Sequence, residues 1–250
     1  MRASPRPSLL DLASIVDDQE QWRASLAATA ETESQPERIC RLCAEQLGIS
    51  GAGLSMITSG GARGIVCATD EVSARIEDLQ FTLGEGPCFD SARSGSPILI
   101  PDLGQPEDLA VDRWPTFMAG AMAAGARALF VFPLRVGAIS VGALDLYRDR
   151  AGNLSAQELP SALMAADTAA LALLRLEVGR PAIFSDNPDT SGEYQFQVHQ
   201  ATGMVQVQLG VSTEEALVRM RARAFALGRP LVDIATDVVE RRVRFTAEDE

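Results

Sequence analysis

One histidine, four cysteines and a set of basic residues that is entirely arginine limit the chemistry open to this chain. His199 stands alone, so a Ser/His/Asp triad, a histidine-ligated haem or a His-rich metal site lacks the residues to be assembled. It reads as an edge histidine beside an apolar stripe. Cys40 and Cys43 form C-x-x-C with no second pair, short of the four ligands of a zinc site, and read as core thiols. Neither a metal nor a cofactor is expected. Cys88 ends the run Gly84-Glu85-Gly86-Pro87-Cys88, and Cys67 lies on a strand-like segment that could reach the same place; inert structural thiols are the expected reading and a redox role the alternative. Gly84 and Gly86 are not followed by Gly-Lys-Ser/Thr, and no helix is expected to start there, so a nucleotide-hydrolysing phosphate loop is excluded. Asp145 and Glu85 have no spacing that pairs them and read as scattered surface acids. Arg219 and Arg223, four apart, share a helix face, while Arg221 points elsewhere.

The elements that must position these residues follow from periodicity and punctuation. Helical spacing runs from Gln19 to Leu47, interrupted at Ser34-Gln35-Pro36 and closed by Gly48. Strand-like runs follow at Ala52–Thr58, Gly64–Ala68, Phe81–Leu83 and Ile98–Ile100. A helix is expected over Trp114–Ala124. An antiparallel hairpin is expected from Ala128–Arg135 and Ser140–Tyr147 around Ala138. A long Ala/Leu-rich helix then runs from Ser155 to Glu177, opened by Ser155 and Glu158 as a capping box. Pro181, Asn187, Pro188 and Gly192 mark a break. Beyond it, three short amphipathic helices carry Val198, Ala201, Val205 and Leu209; then Leu217, Met220, Ala224 and Leu227; then Leu231, Ile234, Ala235 and Val238. Ser212 with Glu215, Gly228 and Pro230 punctuate them. The expected division is an N-terminal extension at 1–18, an α+β domain at 19–178, a linker at 179–195, a small all-α three-helix bundle at 196–245 and an acidic tail at 246–250.

Charge is unevenly spread along a chain of net −12. Residues 36–175 hold 11 Arg against 16 acids, whereas residues 196–245 hold 7 Arg against 5 acids. The only net-positive block is therefore the bundle, which is weak evidence for nucleic acid. The four cysteines do not suggest a disulfide framework, and no signal peptide or spanning segment is evident. A cytoplasmic protein without membrane association is expected.

From about residue 20 to 178 the order of elements resembles a GAF domain, an antiparallel sheet flanked by helices. Leu83-Gly84-Glu85-Gly86-Pro87-Cys88 is similar to the turn after the third strand in bacterial members, and Phe130–Pro133 with Val141–Tyr147 to their terminal hairpin. The resemblance places Gly84, Gly86 and Cys88 at a ligand pocket. The third segment resembles an ANTAR domain in order and register. The matching residues are Gln200-Ala201-Thr202-Gly203-Met204, Ser212-x-x-Glu215-Ala216-Leu217, Met220-Arg221-x-x-Ala224 and Arg229-Pro230-Leu231-x-x-Ile234-Ala235. Relatives often carry a basic residue where this chain has Thr202.

Together the two resemblances imply a signal-responsive regulator that binds structured RNA, typically paired hairpins, and acts by transcription antitermination. The RNA-binding residues they imply are Ala201, Thr202, Gly203, Arg221, Ala224, Arg229 and Ala235. Arg221 and Arg229 would make contacts, and Ala201, Gly203, Ala224 and Ala235 would leave room for close approach. A small-molecule ligand in the GAF domain is implied as well. A homodimer is expected from the apolar surplus of the Ser155–Glu177 helix. The alternative is a GAF-fold thiol redox enzyme acting on a small molecule such as free methionine sulfoxide, although such an enzyme has no need of the bundle.

Overall fold

A computed structural model of the chain describes residues 19–26, 28, 34–58, 61–105, 113–179 and 190–246. The expected extension at 1–18, residues 180–189 of the expected linker and residues 247–250 of the acidic tail lie outside the described residues. The helices are α1 (19–26), α2 (Gln35–Gln46), α3 (Glu71–Leu83), α4 (Pro87–Ser94), α5 (Pro115–Ala124), α6 (Glu158–Gly179), α7 (Thr190–Leu209), α8 (Thr213–Leu227) and α9 (Leu231–Val239). The strands β1 (Gly51–Thr58), β2 (Gly61–Ala68), β3 (Ile98–Ile100), β4 (Ala128–Val136) and β5 (Ile139–Arg148) form one antiparallel sheet in the order β2-β1-β5-β4-β3.

Side-chain alternation along the strands divides the core in two. Ala52, Leu54, Phe130, Phe132, Leu144 and Leu146 face α1, α2 and α6. Leu129, Val131, Ala143 and Tyr147 face the other way, toward α3, α4 and α5. The same alternation puts Ser55 and Asp145 on this second face, with Gly53 directly opposite Asp145 in the β1–β5 register. At the end of β5, buried Arg148 donates to the carbonyls of Leu47, Gly48 and Asn153 and pairs with Glu158 at 2.7 Å, tying the strand to two helix ends.

Two elements depart from the sequence reading. Phe81–Leu83 is the last turn of α3 rather than a strand. Asp70 and Ser73 form a reciprocal capping box that opens this helix, and Gly84, at φ 71°, closes it in the left-handed conformation. The Gly84–Cys88 turn therefore joins two helices, and α4 does begin at Pro87. The phosphate-loop exclusion now rests on the missing lysine alone. The hairpin, the Ser155/Glu158 cap and the α6 helix follow the expectation. Although α6 is long and apolar enough by composition to cross a membrane, its alanine face (Ala162, Ala165, Ala166, Ala169) is buried against the sheet.

The three-helix bundle forms as expected, but α7 begins at Thr190, inside the segment assigned to the linker. Its core is Val198, Ala201, Val205, Met220, Ala224, Leu231, Ile234 and Val238, joined by Phe81 from α3. The bundle packs against α3 and lays α7 along β2, an edge strand of the sheet.

Candidate functional site

Two places merit building up from their residues: the turn around Gly84–Cys88 and the arginine-bearing side of the bundle. At the first, Glu77 projects from α3 into the space that Gly53 leaves by having no side chain. Its Oε2 accepts from the Ser55 hydroxyl, and Asp145 Oδ2 accepts from Gln80 Nε2 at 2.7 Å. The remaining oxygens, Glu77 Oε1 and Asp145 Oδ1, have no other partner, and the two carboxyl groups share a hydrogen bond. A proton shared between them would satisfy both. Burial raises the Glu77 carboxyl well above the usual range, and the Asp145 charge adds to it. Burial also pushes Asp145 up to about 6, against the hydrogen bonds from Glu77 and Gln80 that lower it. The buried pair thus retains one proton at pH values where exposed carboxyls have lost theirs. The sequence does not reveal it: the partner of Asp145 is Glu77 from α3, not Glu85.

Gln80 turns its other end to the glycine run. Its Oε1 accepts from the Cys88 backbone N–H at 2.7 Å, occupying an amide in the first turn of α4. Gly86 permits this, since a Cβ there would stand 2.8 Å from Gln80 Oε1. The space left among Ser55, Glu77, Gln80, Phe81, Cys88 and Phe89 is about 10 Å³, room for little more than one water. A ligand pocket at Gly84, Gly86 and Cys88 is therefore closed by the protein's own side chains.

The cysteines are all buried. Burial raises the Cys88 thiol well above its ordinary value, with the Asp145 and Glu77 charges adding to it. Cys67 does not join Cys88. It lies in the other core, its Sγ 3.3 Å from that of Cys40. The strand alternation that sends Ser55 one way sends Cys67 the other. With all four sulfurs buried, neither the C-x-x-C pair nor the Cys67–Cys88 pair presents the accessible thiol that nucleophilic sulfur chemistry needs.

On the bundle, burial corrects four of the seven expected contact residues. Ala201, Ala224 and Ala235 are 0% exposed, and Thr202 is buried with its hydroxyl donating back to the Val198 carbonyl at 2.6 Å. Their small size lets α7, α8 and α9 approach one another; it does not open a surface. Gly203 is half-buried, with open space where a Cβ would point. Arg229 pairs with Asp237 at 2.7 Å, and Arg242 reaches the same carboxylate at 2.8 Å, which clamps α9 to its flanks. These two guanidinium groups hold the Asp237 carboxyl below its usual range.

Arg221 reaches from α8 to α3. Its guanidinium lies 5.5 Å from the centroid of Phe81, and a Cβ on Gly84 would stand 2.8 Å from its Nη1. The family-matched arginine of the bundle is thus seated on the last turn of α3. Arg219 pairs with Glu215, and Arg223 covers the Phe245 ring at 5.2 Å. His199 is exposed, as expected. Sequence reasoning also missed Phe225, 60% exposed on α8 on the same side as Val218 and Ala222. Its signal was an aromatic lying off the apolar stripe.

A GAF domain model matches residues 36–174, and an ANTAR domain model matches residues 194–239. Among curated proteins nothing matches. Several solved structures are similar to this chain. The GAF domain of a phosphoenolpyruvate-protein phosphotransferase from Acinetobacter is 7% identical, with 71% of this chain and 100% of that one covered and a TM-score of 0.49. The corresponding domain from Coxiella burnetii is 12% identical, with 67% and 96% covered and a TM-score of 0.48. Free methionine-R-sulfoxide reductase from Neisseria meningitidis is 13% identical, with 72% and 100% covered and a TM-score of 0.45. Since the first family model spans more than half of the chain, the protein belongs to the GAF-domain family, and it carries an ANTAR domain behind its GAF domain.

Proposed function

We propose that this chain is a signal-responsive RNA-binding regulator acting by transcription antitermination, in which the GAF domain controls access to the ANTAR bundle. GAF plus ANTAR domains support a signal-sensing RNA-binding regulator in outline. The observation that carries the control is the seat of Arg221 on Phe81 and Gly84. An arginine stacked on an aromatic face and seated against a neighbouring domain is held back from a phosphate or a base until that contact breaks. The arrangement described here is then the closed form, and the signal favours an open one. The double-hairpin preference belongs with a homodimer, for which the outer face of α6 is suited. Leu163 and Leu171, eight residues apart and 41% and 50% exposed, share that face. The proposed break between the two domains falls within residues 179–195.

The test is a titration of a two-hairpin transcript with the full chain and with Arg221→Ala. Circular dichroism checks the fold of each. A specific base contact by Arg221 is worth about 1–3 kcal/mol, by analogy with base-reading arginines. Equal affinities remove Arg221 from the RNA site. If no form of the protein binds, including variants that undock the bundle, the RNA reading itself fails.

A further inference from the structure

The pocket that the glycine turn suggested is closed, yet the same domain holds a larger space elsewhere. A cleft of about 760 Å³ opens where the tip of the β4–β5 hairpin, the end of β1, α4 and α6 meet. This is within the size range of small-molecule sites, roughly 300–1,000 Å³. Its floor is apolar, formed by Met56, Phe89, Val141 and Leu173. Its rim carries two guanidinium groups, Arg93 from the last turn of α4 and Arg135 from the end of β4.

Three features make this a built site. Gly95, the left-handed cap of α4, has no side chain where the Arg135 guanidinium lies, so the arginine is seated against the helix end. Arg135 forms no ion pair among the described residues. Arg93 pairs with Asp90 at 3.1 Å, but Asp90 is also held by Arg113, which leaves positive charge in excess at the rim. Third, the Ser140 hydroxyl at the cleft is buried without a hydrogen-bond partner among the described residues, a cost that a bound acceptor or donor would relieve. A cationic rim over an apolar floor, in a chain of net charge −12, is complementary to one kind of molecule.

We infer that this cleft binds a small organic anion, with its apolar body on the floor and its carboxylate or phosphate between Arg93 and Arg135. The inference deepens the sensor role proposed above and rests on it for its meaning, though not for its test. Binding at this place bears on α4, whose first turn Gln80 ties to α3 and thereby to the helix end beneath Arg221.

The experiment is isothermal titration calorimetry of the full chain, without RNA, using 3-phenylpropionate and octanoate. 3-Phenylpropylamine serves as the probe of matching shape and opposite charge. Saturable binding of the acids and none of the amine is expected. Arg135→Gln should weaken the acids about tenfold, the scale of one charge-assisted contact. Ile139 is 63% exposed at the cleft edge, so charges placed there leave the core untouched. Ile139→Lys should tighten the acids and Ile139→Glu should weaken them, with both effects fading at high salt. The inference is overturned if no acid binds at millimolar concentration, if the amine binds as well as the acids, or if affinity ignores these substitutions. Since RNA is absent, such a failure leaves the RNA reading standing, and a failure of RNA binding leaves this one standing.

Discussion

Replacing Phe81 by alanine should release the bundle and strengthen RNA binding. Phe81 belongs to α3 by sequence and to the bundle by packing, at 6% exposure among Val198, Met220 and Ile234. Full burial of a phenylalanine side chain contributes about 1.5–3 kcal/mol. The stacked Arg221 adds about 0.5–1 kcal/mol at a partly exposed site. The closed arrangement should therefore lose about 2–4 kcal/mol, a shift of roughly 30- to 1,000-fold in the docking equilibrium. The gain in apparent RNA affinity cannot exceed the factor by which the closed form predominates beforehand. A gain of about tenfold or more in the unstimulated protein is expected. The assay is titration of the same two-hairpin transcript with wild type and Phe81→Ala. Gly84→Asn is a second variant that spares the apolar core. Asparagine tolerates the left-handed conformation, and its side chain occupies the seat of Arg221. Hydrogen exchange on β2 and α3 reports undocking directly. If both variants undock and RNA affinity stays the same or falls, the seat of Arg221 is not a gate and the reasoning is refuted.

Three further outcomes follow from the described contacts. For the Glu77–Asp145 pair, folded values above the unfolded ones mean that stability is fully present below about pH 4. It is lost as the pH rises through about 6 for Asp145, and the raised Glu77 carboxyl contributes in the same direction. Wild type should lose about 1–3 kcal/mol from this source between pH 5 and 8, and Glu77→Gln, which keeps a donor toward Asp145, should flatten that slope in thermal melts; identical slopes would contradict the shared proton. Cys88 should resist iodoacetamide at pH 7.5 in the folded protein and react promptly in guanidinium, and fast labelling of the folded chain would restore the thiol-enzyme alternative. Asp237→Ala should destabilise the bundle by about 1–2 kcal/mol, since two guanidinium groups lose a carboxylate they reach from partly exposed positions. Unchanged unfolding of α9 in hydrogen exchange would show that the clamp contributes nothing.

What was legible in the sequence was whatever local punctuation encodes. Ser155/Glu158, Ser212, Gly228 and the hairpin turn each fixed an element because capping and turn chemistry act within a few residues. Phe81–Leu83 misled because three residues have no period of their own. Their helical character comes from the Asp70/Ser73 cap ten residues upstream. The site residues were less legible still. Ala201, Ala224 and Ala235 looked like a flat surface, but small residues at helical spacing serve equally for helix–helix contact, and only the packing distinguishes the two. The Glu77–Asp145 pair depends on register, because Gly53 must stand opposite Asp145 for a carboxyl from α3 to fit between them. Arg221 could be identified by its match to the family, but not its companion, since Phe81 lies 140 residues away in the chain.

The covering of β2 by α7 gives the two domains a mutual obligation. A chain ended after α6 would present an uncovered strand edge, open to another strand, beside a phenylalanine that has lost its surroundings. Such an edge recruits whatever strand is nearest, and in a concentrated solution that is another copy of the same edge. The GAF domain by itself should therefore precipitate or form spurious sheet-to-sheet dimers, although its own core is complete. On that expectation the ANTAR bundle serves as a built-in cover for its neighbour. If the proposed signal lifts the bundle, it must either leave α7 on the edge while freeing α8, or expose the edge only briefly.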